Sequence, residues 1–114
     1  MTTSIYSSDE RKQIANVMLS QLGGRKFLVM TGCKDLFYYE RDNMVVLRMS
    51  VGRNCKGINR FEIAYNEGRD LYELRFIRTR KNVDKIVSEH KGVYSDMLSD
   101  MFEGETGMVT SFMV

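Results

Sequence analysis

The sequence has no proline, one histidine and two cysteines, and its longest apolar runs are four or five residues. Two cysteines, Cys33 and Cys55, are too few for a disulfide framework. Neither lies in a Cys-x-x-Cys pair of the kind that holds zinc or runs thioredoxin-type exchange. Both read as reduced thiols in or near a core. The lone histidine, His90, cannot supply two imidazoles to a metal within one chain. Flanked by Glu89 and Lys91, it reads as an exposed structural residue at a strand-to-helix junction. Apolar runs this short fall far below the ~20 residues a membrane-spanning helix needs. The polar stretch Met1–Ser8 lacks the apolar segment of a signal peptide, so residence in the cytoplasm and no membrane partner are expected. No Gly-x-Ser-x-Gly, P-loop or dinucleotide fingerprint occurs. The expectation is therefore a protein that is not an enzyme, with no cofactor and no metal.

What is present is ordinary globular material. At 114 residues, with 43% apolar and 28% charged side chains, the chain suits one domain over residues 1–114 and argues against disorder. A chain of this size buries roughly two-thirds of the surface exposed by its unfolded form. There is no repeat and no low-complexity linker. Net charge is only +2, but residues 25–91 hold fifteen Lys and Arg against nine Asp and Glu. Residues 92–114 hold no Lys or Arg and four acids, so a basic middle precedes an acidic end.

Ser7-Ser8-Asp9-Glu10 predicts a helix start with a capping box, and Ile14, Val17, Met18 and Leu22 give it one apolar face. Gly23-Gly24 stops that helix. From Lys26 the period changes towards 2. Phe27–Thr31 and Leu36–Glu40 predict strands, and Arg41-Asp42-Asn43 supplies a turn before a strand over Met44–Ser50. Gly52–Gly57 reads as a polar loop. The clearest alternation sets Phe61, Ile63 and Tyr65 against Arg60, Glu62 and Ala64. After a turn at Asn66-Glu67-Gly68-Arg69, Tyr72, Leu74 and Phe76 alternate with Glu73 and Arg75. Asn82–Ser88 predicts a last strand. Val93, Met97, Leu98, Met101 and Phe102 predict a closing helix with Asp96, Asp100 and Glu103 on its wet side, ended by Gly104. One-sided alternation of this kind marks an antiparallel sheet with one covered face. The expected fold is α+β: a single antiparallel, or mostly antiparallel, sheet of about five or six strands, with an N-terminal and a C-terminal helix packed on one face. Residues 1–6 are expected to be flexible, and 105–114 to form a tail packed on the domain or used in self-association.

The basic middle is the main functional lead. Arg48, Arg60 and Arg75 fall on the non-core faces of three expected strands, with Arg53 and Lys56 in the adjoining loop. Neighbouring strands would align them as a cationic stripe beside Tyr38, Tyr39 or Tyr65, a pattern suited to single-stranded DNA or RNA. Glu62 and Glu73 alternate with the same arginines, so cross-strand pairing could instead neutralise the stripe. Arg78-Thr79-Arg80-Lys81 forms a second cationic run after the hairpin, a grip for phosphates or an acidic protein, or simply a wet loop. Met108, Val109, Phe112 and Met113 make the tail apolar, suited to core filling, a host-protein contact or a homodimer.

Gln21-Leu22-Gly23-Gly24, Phe27, Met30-Thr31-Gly32 and Lys34 resemble the opening of a family of small bacterial phage and mobile-element proteins. Gly57-Ile58-Asn59, Tyr72, Gly92-Val93-Tyr94, Asp96, Leu98, Phe102 and Thr106-Gly107 are similar too. The likeness runs from about residue 17 to 112, and the family carries no assigned activity to bring over. It implies an accessory protein of a phage or mobile element acting in the host cytoplasm. The leading expectation is a non-enzymatic binding module contacting single-stranded nucleic acid through Arg48, Arg53, Lys56, Arg60, Arg75, Arg78, Arg80 and Lys81. The alternatives are a protein-binding accessory factor, such as an inhibitor of a host defence protein, or a small virion assembly component.

Overall fold

The computed structural model describes residues 6–110. Helix α1 (Ser8–Leu22) starts on the expected box: Ser7 Oγ accepts from the Glu10 N–H at 3.2 Å, and Glu10 Oε1 accepts from the Ser7 N–H at 3.1 Å. Two of the orphan amide donors of a helix start are thereby satisfied. Ala15, Met18 and Leu22 are buried, whereas Val17, assigned to the same apolar face from its spacing, is 47% exposed.

The first departure comes at once. Phe27–Thr31, expected as a strand, lies in a second helix, α2 (Gly24–Thr31). A run of four apolar residues fits a buried strand or one wall of a helix equally well, and periodicity cannot choose. Here Phe27 and Thr31 stand one turn apart and both are buried, and Thr31 Oγ1 donates to the Phe27 carbonyl at 2.7 Å. Gly32, at φ 67°, then turns the chain out of the helix.

Five strands follow: β1 (Lys34–Arg41), β2 (Met44–Ser50), β3 (Arg60–Asn66), β4 (Leu71–Arg80) and β5 (Val83–Val93). They form one antiparallel meander in the order β1-β2-β3-β4-β5. Two of its hairpins close on two-residue turns with positive φ at both positions, Asp42-Asn43 and Lys81-Asn82, the backbone that matches strand twist. Arg78, Thr79 and Arg80, expected in a loop, therefore belong to β4, and only Lys81 lies in the turn. The last strand is longer than Asn82–Ser88 suggested. It takes in His90, which is no junction residue, and Val93, which is no helix residue. A 3-10 turn at Ser95–Met97 leads into α3 (Leu98–Thr106), which passes through Gly104 and ends on Gly107 at φ 73°.

All three helices serve one face of the sheet. Val45, Leu47, Met49, Phe61, Ile63, Leu74 and Phe76 meet Met18, Leu22, Phe27, Leu98 and Phe102 there in one core. Phe102 of α3 is its hub, with ring centroids 4.9 Å from Phe27, 5.1 Å from Phe61 and 6.0 Å from Phe76. Truncating a ring so placed costs about 3–5 kcal/mol. Cys33 lies in this core, and burial pushes its thiol up to about 11; Cys55, expected near a core, is exposed. Among the described residues no helix is long and apolar enough to cross a membrane.

Candidate functional site

The face without helices holds Arg48, Arg60 and Arg75, as the alternation requires. It is nevertheless not open. Met44, Val46 and Ala64 form a second small buried cluster there with Tyr39, and no helix residue takes part. Sheet curvature explains the burial. Adjacent strands are about 4.8 Å apart, so β2 and β5 lie three spacings apart in the strand order. Yet Arg48 of β2 grips Asp84 of β5 with two hydrogen bonds, at 2.9 and 3.0 Å. Side chains stand off the sheet plane, so this reach requires the sheet to curl β5 up towards β2. Register irregularities in β4–β5 and β1–β2 supply the bends. The face is concave.

Glu62 sits at the bottom of the concavity, 3% exposed. It accepts from Tyr39 Oη at 2.6 Å, Arg41 Nη1 at 2.5 Å and Arg48 Nη1 at 2.8 Å. Burial pushes the Glu62 carboxyl upward, but these three donors outweigh it and hold the group below its ordinary range. Desolvation and the bond to Glu62 push the Tyr39 hydroxyl up to about 12. The buried Nε of Arg41 has no acceptor among the described residues. Arg75 pairs with Glu89, and Arg60 donates to the Asn59 carbonyl at 2.8 Å. Two of the three stripe arginines are thus ion-paired and the third is bonded to backbone. Glu62, weighed from the sequence as a competitor for them, takes only Arg48 of the three, together with Arg41 from β1.

The other expected cations gather at one end of the sheet. Strand direction puts the Gly52–Gly57 loop and the β4–β5 turn at that end. The loop is knitted by Asn54, whose Nδ2 donates to the Gly52 and Ile58 carbonyls and whose Oδ1 accepts from the Lys56 and Ile58 amides. Asn59 then fastens it to β4, donating to the Thr79 carbonyl at 2.9 Å and accepting from the Thr79 amide at 2.7 Å. Arg78 completes the join through the carbonyls of Gly57, at 3.2 Å, and Lys56, at 2.9 Å. Gly52 is packed so closely on α2 that a Cβ there would stand 2.6 Å from the Thr31 carbonyl oxygen. On this frame Arg53, Lys56, Arg80 and Lys81 are exposed. Lys85, which the sequence reading left out, joins them: Lys85 pairs with Arg78 across the hairpin, and the two line a shallow depression of about 350 Å³ with Arg80 and Val83. Its position opposite Arg78 was legible in principle, had the two-residue turn at Lys81-Asn82 been recognised.

Met108 packs against the main core, and Val109 is 50% exposed. Phe112 and Met113 lie outside the described residues, as do residues 1–5. Tyr6 itself is buried, with its hydroxyl donating to Glu67 Oε2 at 2.9 Å.

Chemistry of the catalytic kind finds one constellation to weigh. Glu105 of α3 accepts from Ser88 Oγ at 2.9 Å and lies 2.8 Å from His90 Nε2. The carboxylate stands between the hydroxyl and the imidazole, whereas nucleophile activation needs the hydroxyl on the imidazole. The pair clips β5 to α3. Among the described residues no group of three or more His, Cys, Asp or Glu is placed to hold a metal.

The opposite end of the sheet carries a cleft that the sequence reading missed. It measures about 530 Å³ and lies between α1, the β3–β4 turn and the start of the 3-10 turn, walled by Tyr6, Tyr65, Tyr72 and Tyr94. Its lining comes from three separate segments, and no local motif joins them. Comparison with known proteins found no matching family model, no matching curated protein and no matching solved structure.

Proposed function

We propose that the protein is a non-enzymatic binding module that holds the phosphate backbone of nucleic acid at the cationic end of its sheet. The observation that carries this reading is the join between two basic segments far apart in sequence. Asn59 and Arg78 lock the loop carrying Arg53 and Lys56 onto the hairpin carrying Arg80, Lys81 and Lys85. Cations held on a stiff frame bind a polyanion without first losing loop entropy. The carboxylate of that hairpin, Asp84, is engaged by Arg48 and Thr79. No aromatic residue occurs in the Gly52–Gly57 loop or in residues 78–85. Contacts are then to phosphate and carry no base preference. Arg48 and Arg75 shape the concave face instead. Work on single strands in the service of a phage or mobile element would suit this surface.

Fluorescence anisotropy with labelled single-stranded DNA, RNA and duplex, across a salt series, tests the reading. Five phosphate contacts predict a slope of log affinity against log salt of roughly −3 to −4 on single strands. Joint Arg80→Glu and Lys81→Glu replacement should lower affinity at least ~tenfold by placing like charge beside phosphate. Arg75→Gln should leave it unchanged. Absence of any anisotropy change at low salt, or a flat salt dependence, overturns the proposal.

A further inference from the structure

The tyrosine-walled cleft at the far end has a chemistry of its own, independent of the phosphate-binding reading. Its lining includes Glu10, Glu67 and Asp70 and not one Lys or Arg, in a chain whose cations outnumber its acids. Glu10 is held by Ser7, Glu67 Oε2 takes the Tyr6 hydroxyl, and Asp70 Oδ1 takes the Tyr65 hydroxyl at 2.6 Å. The second oxygens of Glu67 and Asp70 have no hydrogen-bond partner among the described residues, and neither group is in an ion pair there. Tyr65 and Tyr72 pack as a tilted ring pair with centroids 5.3 Å apart, and Tyr94 stands 60% exposed at the rim.

We infer that this cleft binds an organic ammonium group. Aromatic rings attract a cation through the negative potential of their faces, most strongly where water is thinned. Carboxylates already oriented by a tyrosine hydroxyl keep a free oxygen for an N–H donor or for a methylated, diffuse positive charge. An inorganic cation is a poor match, because hard cations take a shell of several oxygens at short range and no three acids among the described residues are placed to supply one. The volume falls within the range of small-molecule pockets. The negative setting is felt by the hydroxyls: burial and Glu67 push Tyr6 up to about 12, and the bond to Asp70 together with burial does the same for Tyr65. The same ammonium chemistry is offered by a free amine and by a methylated lysine on a peptide.

The protein carries its own reporter. It has six tyrosines and no tryptophan, and four of the six line the cleft. Tyrosine emission and titration calorimetry would be followed on adding choline, its uncharged carbon isostere, and a short peptide bearing one trimethyl-lysine. Saturable binding of choline, or of the peptide alone, supports the inference and tells the two sources apart. Joint Glu67→Gln and Asp70→Asn replacement should weaken binding about tenfold, since each lost charge removes part of the attraction. Should that variant fail to fold, the rim residue serves instead: Tyr94→Leu should weaken binding severalfold and Tyr94→Phe should not. Equal binding of the uncharged isostere, or no binding of either cation at millimolar concentration, overturns the inference. Neither result bears on the oligonucleotide measurements, which probe the other end.

Discussion

The two ends of the sheet use charge in opposite signs and by the same construction. At one, Arg78 spends its guanidinium on the backbone of the neighbouring loop and leaves Arg53, Lys56, Arg80, Lys81 and Lys85 facing solvent. At the other, Glu67 and Asp70 each spend one oxygen on a tyrosine and line a cleft. Between them the concave face is settled internally, with Arg48 shared by Glu62 and Asp84. A net charge of +2 thus conceals local clusters of each sign. Net charge reports the sum, and recognition depends on the arrangement.

The comparison breaks most sharply if its neutral middle is opened. Glu62→Gln removes the buried charge that Arg41 and Arg48 share, which should cost about 3 kcal/mol by chemical denaturation. It should also raise non-specific oligonucleotide affinity by freeing Arg41, while Arg48 keeps its pair with Asp84. Acid makes the same cut. The Glu62 carboxyl is held below its ordinary range in the fold, so it stabilises the native state above its unfolded value, near 4.3. That contribution is lost as pH falls through the lower folded value. Asp84 and Glu89, lowered chiefly by their bonds to Arg48 and Arg75, act with the same sign. Denaturation midpoints between pH 6 and about 3 should decline faster for the natural protein than for Glu62→Gln.

A smaller effect is expected at the cationic end. Arg78→Ala unties the loop at a cost of about 1 kcal/mol, a half-exposed charged hydrogen bond being worth little more. The variant should lose more nucleic-acid affinity than one positive charge accounts for, because Arg53 and Lys56 lose their fixed position. Arg78→Lys should restore charge without the two-pronged grip and recover only part. The smallest effect lies at the acidic end. A spectrophotometric titration should show a late tyrosine phase near 12, from Tyr6, Tyr39 and Tyr65. Because those hydroxyls are held protonated in the fold, stability should fall as pH rises from about 10 through 12. Tyr39→Phe should diminish that phase and leave the cleft tyrosines titrating as before.

Alternation in β3 and β4 made much of this fold legible. Arg60, Glu62 and Ala64 do face away from Phe61 and Ile63, and the α1 cap follows directly from Ser7 and Glu10. Period 2 states which face a side chain takes, and nothing about how a sheet bends. Arg48 meets Asp84 across 36 residues and two intervening strands, a contact set by bulges that leave no local signature. Phe27–Thr31 misled for another reason: four apolar residues within an eight-residue helix are too short a run to show a helical period. The cleft was hidden because Tyr65 and Tyr72 were already explained as core residues of their strands. Side chains that serve a core and a cavity wall at once satisfy the first explanation and conceal the second.

The meander has a kinetic corollary. Since each strand pairs with its immediate successor, the sheet assembles through short loop closures, the least costly in chain entropy, and its topology belongs with those that fold quickly for their strand content. Without proline, no peptide-bond isomerisation delays the closing steps. A newly made chain can therefore complete its hairpins one after another as they emerge.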